Sequence, residues 1–593
     1  MSKSLCALLL VTTSLLIVGC DDKSTEDATA AATDQTQSIV GIYAPQDLEP
    51  IRKTLAGSYL AGQHAQLSGD WKTAGEYFDD LMKYSPDDTN IQSRLMALSL
   101  GSGNYDRAVL LADNILKTRK DDSLAQLITA LDEFRLGKFQ EAEARILQVK
   151  QDGLGSAIMP LIQAWCEAGL GKSKTDTLKD SPSFLYQAVL IADYNKDKEG
   201  VTKLAKTYNF TRTPTPISGL EDVADVFAKY GETEKAKDIY TSLRKALPDS
   251  ANRLNEKIKN LSEQQPIETE TITPQEGLAR ALLDTARLLS NGYEESAILF
   301  THMSRFLDSH KPDTLELLAQ FSADNKQYES AITYLTKIQN SEDKESQNNI
   351  TRQIALLLEM DNKPDEAIRI LKSLVETGNN IEAQIQIGDI YRQNENYKDA
   401  LSAYNKAVDM LGKDVPQEKW QLLFSRGIAN ERMKNWDQAE EDLLKALSYE
   451  PDQPYILNYL GYTWADHGKN LDKAAEMIEK AALLKPDDGA IIDSLGWVYY
   501  RMGKFGEAVV TLEKAVELQP YESEINDHLG DAYWQVGRKK EARFQWRRAI
   551  SFTKDSEIIS KIEGKITNGL PASDLAKSSA NEAPQASTLV KND

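Results

Sequence analysis

The sequence predicts an all-α solenoid of stacked helical hairpins, and three observations carry that prediction. In the stretch 458–549, Gly496 and Gly530, Gly503 and Gly537, Ala508 and Ala542, and Ala515 and Ala549 are each 34 residues apart. Near the start the same period spaces Gly69-Asp70-Trp71, Gly103-Asn104-Tyr105 and Gly137-Lys138-Phe139, with Ala74, Ala108 and Ala142 each five residues after the glycine. Pro451, Pro486 and Pro520 each follow an alanine, Ala439, Ala474 and Ala508, by twelve residues. Small residues at constant phase in a period of this length mark hairpins that stack on their neighbours. Glycine permits the turn between two helices, alanine lets the second helix approach the first, and proline stops it.

Length does not count domains here, because a solenoid grows by addition and needs no single core. The chain has 593 residues, with 69 Lys and Arg against 91 Asp and Glu. The resulting net charge of -22 is repelled by phosphate backbones, so nucleic acid is excluded as an expected partner. With 8 Trp and 24 Tyr the chain has ample material to fold, and the acidity describes a solvated surface. Cys6, Cys20 and Cys166 supply neither a disulfide framework nor a cysteine metal site. His64, His302, His310, His467 and His528 show no ligand spacing. No metal and no cofactor are expected.

Residues 1–19 read as an export signal: one lysine, then an apolar run from Leu5 to Val18 that is short for a membrane span. Ile17-Val18-Gly19-Cys20 resembles the bacterial lipobox, and the resemblance implies that Cys20 becomes an acylated N-terminus. Asp21 resembles the inner-membrane retention signal of some Gram-negative bacteria, an inclination that leaves the outer membrane open. Residues 20–50, acylated cysteine included, are expected to be a flexible tether with a reach on the order of 30 Å.

The first array is expected over 51–261. Gly169-Leu170-Gly171-Lys172-Ser173 looks like a phosphate loop, but Cys166 stands where its first glycine belongs, no strand precedes it, and Gly171 falls in phase as a hairpin turn. The period is lost over 174–215, where irregular helices are expected, and returns at Gly231 and Ala236. Residues 262–276, polar with Pro266 and Pro274, read as a linker. The second array is expected over 277–566, with marker alanines at 297, 331, 367, 400, 439, 474, 508 and 542. Residues 567–593 read as a disordered tail.

These residues resemble the tetratricopeptide repeat family, in which the first helix of each hairpin carries a glycine, the second an alanine, and proline ends it. Gly496, Tyr499, Ala508, Ala515 and Pro520 fill those places in one repeat. The last repeats also resemble those of Gram-negative repeat lipoproteins, some of which tether a processing protease to its cell-wall substrates. The family resemblance implies that the first helices line a concave face. Its phase places Asn458 and Tyr462, then Asp493, Trp497, Tyr500 and Arg501, then Asp527, Asp531 and Trp534 on that face. Rings with interspersed amides and charges suit a peptide ligand, although the same rings serve equally to pack between hairpins. Tyr499 and Tyr533, one place earlier, are expected to pack.

No catalytic constellation is found, and Asp493, Asp527 and Asp531 read as a charged face rather than an acid–base set. The expected protein is a lipid-anchored, non-enzymatic scaffold at the envelope of a Gram-negative bacterium. It would bind other proteins or peptides and recruit a periplasmic protease or cell-wall-remodelling enzymes. A scaffold for envelope assembly or polysaccharide export is the alternative, and an enzyme with its site in 174–215 a remote one. Oligomeric state is left open.

Overall fold

The computed structural model of the protein describes residues 54–570, apart from 150–152, 175–177, 179–181, 213–214, 248–249, 264, 266–270, 310–311, 340–342 and 413. The expected signal, Cys20, the tether and the tail beyond Leu570 lie outside the described residues. Among the described residues there are 29 α-helices and no strand, as the repeat period predicts. None of these helices is long and apolar enough to cross a membrane. The chain forms two compact units, which divide after Lys363.

The first unit, Gln46–Lys363, begins with hairpins α1 (Leu55–Leu67) and α2 (Trp71–Tyr84), α3 (Thr89–Gly101) and α4 (Tyr105–Thr118), and α5 (Ser123–Arg135) and α6 (Phe139–Ile146). It continues with α7 (Gly153–Gly169), α8 (Leu185–Tyr194), α9 (Lys198–Thr207), α10 (Ile217–Lys229), α11 (Thr233–Ala246) and α12 (Ala251–Ser262). Gly69, Gly103 and Gly137 take φ of +74°, +78° and +76°, so the turn glycines have the left-handed backbone their type allows. Two of the aromatics after them serve the next hairpin: Trp71 lies against Gly101 and Phe139 against Gly169, where a Cβ would collide with the rings. Ala74, Ala108 and Ala142 are fully or almost fully buried.

Where the period is lost, the chain still makes a hairpin. Helices α8 and α9 are short and regular, and Lys196 occupies the turn at φ +57° where other hairpins use glycine. The glycine-rich run at 169–173 ends helix α7; Ser173 donates to Asp197 at 2.7 Å and Lys174 pairs with Glu167 at 2.7 Å.

Helices α13 (Pro274–Leu289) and α14 (Glu294–Leu307) belong to this same unit, followed by α15 (Pro312–Asp324), α16 (Tyr328–Gln339) and α17 (Lys344–Met360). Thr273 and Glu276 form a capping box that starts α13. The helix then packs on α7 and α8, while α14 packs on α3 and α5. Gly277 meets the ring of Trp165, Asp284 accepts from Tyr186, and Arg280 pairs with Asp222. Phe306 lies 5.2 Å from the Tyr105 ring, and Arg135 sits 4.9 Å over Phe306. Residues 262–276, read as a linker between arrays, therefore lead into a hairpin that returns onto the first array. One continuous core runs from Ala65 to Phe321.

The second unit starts at Pro364 with α18 (Pro364–Gly378). Five hairpins follow: α19 (Ile381–Gln393) with α20 (Tyr397–Leu411), α21 (Trp420–Arg432) with α22 (Trp436–Tyr449), α23 (Pro454–Asp466) with α24 (Leu471–Leu484), α25 (Gly489–Arg501) with α26 (Phe505–Leu518), and α27 (Ser523–Gln535) with α28 (Lys539–Ser551). Helix α29 (Ser556–Asn568) ends the unit. The repeat rule is direct here: each first-helix glycine receives a large second-helix side chain, Gly388 Tyr404, Gly427 Leu443, Gly461 Ile478, Gly496 Leu512 and Gly530 Trp546. The buried residues fall into several smaller clusters, the arrangement of an additive solenoid.

Candidate protein-binding face

The nine sequence-derived residues lie on helices α23, α25 and α27, and they meet different fates. Asn458 and Asp493 are buried, each 5% exposed. Tyr462 reaches past the next hairpin, and its hydroxyl donates to Glu524 on α27 at 3.0 Å. Burial, then the carboxylates of Glu524 and Asp493, raise its pKa well above the ordinary phenol value. Asp493 lies 2.9 Å from Nδ1 of His528. The imidazole is buried, which opposes its charge, but the carboxylates of Asp493, Glu524 and Asp527 together raise its pKa to about 9. Burial also raises Asp493, so the pair holds its proton through neutral pH.

Trp497 stacks on both neighbours: its ring lies 4.9 Å from Tyr500 at 7° and 4.2 Å from His528 at 16°. Arg501 approaches the same ring at 5.9 Å and donates to the backbone carbonyl of Asp466 at 2.7 Å. Tyr500 accepts from Gln535 at 3.2 Å. Two buried polar atoms on this face, Asn458 Oδ1 and Trp497 Nε1, have no hydrogen-bond partner. Each such group costs about 1–3 kcal/mol relative to a satisfied one.

Asp527, Asp531 and Trp534 do not face an open groove, because α29 covers them. Lys565 pairs with Asp527 at 2.7 Å and with Asp531 at 2.9 Å. Asp531 also accepts from Trp546 Nε1 at 2.9 Å. Trp534 Nε1 donates to the carbonyl of Leu570 at 3.2 Å, and Gly569 lies against its ring. The sequence carried a signal for α29 in its Asp555 cap and in Ile558, Ile562 and Ile566 at helical spacing. His528 was also missed as a member of the face, since a lone histidine has no motif.

Replacing Lys565 with Met is expected to leave Asp527 and Asp531 without their counter-charge and to loosen α29. Amide exchange over Ser556–Asn568 should then rise while that of α23 stays as it was.

Tyr499 and Tyr533 pack as expected: Tyr533 is 6% exposed and its hydroxyl donates to Glu513, while Tyr499 donates to Glu479. Among the described residues no group of three or more His, Cys, Asp or Glu side chains is arranged to hold a metal.

Known families bear on this arrangement. A tetratricopeptide repeat-like domain matches residues 311–423, and tetratricopeptide repeats match 65–131, 424–490 and 491–522. The chain belongs to the tetratricopeptide repeat family, and its repeats support a protein–protein interaction scaffold. No curated protein matches it. Solved structures similar to it include the APC/C hetero-tetramer Cut9-Hcn1, at 16% identity over 91% of this chain and 99% of that one, with a TM-score of 0.36. A tetratricopeptide repeat protein from Parabacteroides merdae is 18% identical over 43% of this chain and 99% of that one, TM-score 0.36. Yeast Tom70 is 17% identical over 89% of this chain and 99% of that one, TM-score 0.28.

Proposed function

We propose that the chain is a lipid-anchored scaffold that captures a helical or extended segment of another envelope protein on the face of α23 and α25. The observation that carries the reading is the stack of Trp497 with Tyr500 and His528, beside which Tyr462 and Arg501 stay partly exposed. The partly exposed rings of Tyr462, Trp497 and Tyr500 give a ligand contact area at small entropic cost, and the Arg501 guanidinium beside them gives it a polar partner. Within the chain, α14 already packs on the first helices α3 and α5. The segment bound is expected to belong to a periplasmic protease or a cell-wall-remodelling enzyme, and membrane tethering would raise its effective concentration near substrate.

Affinity capture from membranes by the full chain is expected to return such a partner, and Tyr462→Ala with Arg501→Glu to lose it. Retention of the partner by that double variant would remove the face from the account. The anchor is tested separately: Cys20→Ser is expected to move the protein from the membrane to the soluble fraction. Continued membrane association of that variant would contradict anchoring through Cys20.

A further inference from the structure

The outer side of the last hairpin carries a charge opposite to that of the chain. Between Arg538 and Lys554 stand seven basic residues, Arg538, Lys539, Lys540, Arg543, Arg547, Arg548 and Lys554, against the single acid Glu541, in a chain of net charge -22. Helix α28 buries Ala542, Trp546 and Ala549 and turns Lys540, Phe544, Arg547 and Ser551 outward. Phe544 is 59% exposed, with Lys540 one turn before it and Arg547 and Arg548 one turn after. Among the described residues Lys540 and Arg547 make no hydrogen bond or ion pair. Arg548 is fixed: it donates to the Pro520 carbonyl at 2.9 Å and lies 5.6 Å over the Phe552 ring.

We infer that this surface docks an acidic segment of a partner protein, in which an apolar side chain covers Phe544 and flanking carboxylates meet Lys540, Arg547 and Arg548. Charge complementarity favours an anion, and two details favour a peptide over an anionic bilayer. A guanidinium fixed by a carbonyl and an aromatic face is suited to directional carboxylate recognition, whereas attraction to a lipid surface needs only mobile cations. The neighbouring helix α26 exposes Glu507, Glu513 and Glu517, so a broad anionic plane laid on α28 would also meet acids. A narrow segment along α28 would meet only Glu541, which Arg538 pairs at 3.2 Å. The inference is independent of the Trp497 face.

The test uses the full chain and a dye-labelled synthetic peptide of Glu and Ser with one central Leu, together with its Leu→Ser and Glu→Lys analogues, read by fluorescence anisotropy. The Glu/Leu peptide is expected to bind, its Ser analogue to bind more weakly, and its Lys analogue not to bind. Lys540→Glu with Arg547→Glu should weaken the Glu/Leu peptide about tenfold or more. Phe544→Ala should abolish the difference between the Leu and Ser peptides. All three positions are exposed, so thermal unfolding of these variants should match the parent. Unchanged affinity in the charge-reversed variant would overturn the inference. So would binding to phosphatidylglycerol vesicles without binding to the peptide, which would assign the patch to a membrane.

Discussion

A chain ending at Glu263 is expected to lose the cooperative fold of the first unit, although 262–276 has the composition of a linker. Such a chain lacks α13 and α14, and with them the cover of Trp165 and Tyr186, which are 0% and 1% exposed. It also leaves Asp222 without Arg280 and Tyr186 without Asp284. Each large side chain so uncovered forfeits about 1.5–3 kcal/mol, against a total stability of about 5–15 kcal/mol for a typical domain. Comparing chains of residues 54–263 and 54–363 by near-ultraviolet circular dichroism and thermal melting checks this. The longer chain should melt in one sharp transition and the shorter should show none. Equal melting of the two would mean that α13 and α14 are accessories rather than parts of the core.

The second large effect is expected at His528. Its imidazole and Asp493 are both buried and lie within hydrogen-bond distance, so His528→Ala leaves a carboxylate in the interior without its counter-charge. Removing one member of such a pair costs about 3–5 kcal/mol. His528→Gln with Asp493→Asn should cost less than His528→Ala alone. The same pair sets a pH dependence. Since the folded-state pKa is raised from 6.5 to about 9, its contribution is fully present below pH 6.5 and is lost as pH rises toward 9. In the first unit His302 behaves oppositely: burial, then Arg305, lowers its pKa to about 3, so its protonation on unfolding removes stability as pH falls below 6.5. Thermal melts of the full chain across pH 5–9 should show the first unit weakening on the acid side and the second on the alkaline side. His528→Gln should flatten only the second trend.

The hairpins were legible because their packing is local. A glycine in one helix and the side chain it receives sixteen or so residues later, such as Gly496 and Leu512, leave a periodic trace in the sequence. The trace fades where another residue takes the left-handed turn, as Lys196, Lys326, Glu395 and Lys434 do. That is why 174–215 reads as irregular while folding as a hairpin. The return of α13 and α14 onto the first array left no such trace. Its contacts join residues as far apart as Tyr186 and Asp284, or Gln66 and Glu295, and no spacing rule links them.

The candidate face divides in the same way. Phase alone placed Tyr462, Trp497 and Arg501 on one side of the stacked first helices, since that follows from helical geometry. It gave no sign that Tyr462 would reach Glu524, or that His528 would stack on Trp497. Nor did it show that Lys565 would arrive from α29 to take Asp527 and Asp531. Those outcomes depend on how closely successive hairpins approach.

The most direct test of the proposed binding face is site-specific photo-crosslinking in membranes, with a photoreactive phenylalanine placed at Tyr462, at Trp497 and, as a reference, at Trp534. A partner protein is expected to crosslink at Tyr462 and Trp497, and the Trp534 position to crosslink within the chain, to α29. A partner adduct at Trp534 with none at Tyr462 or Trp497 would contradict the account.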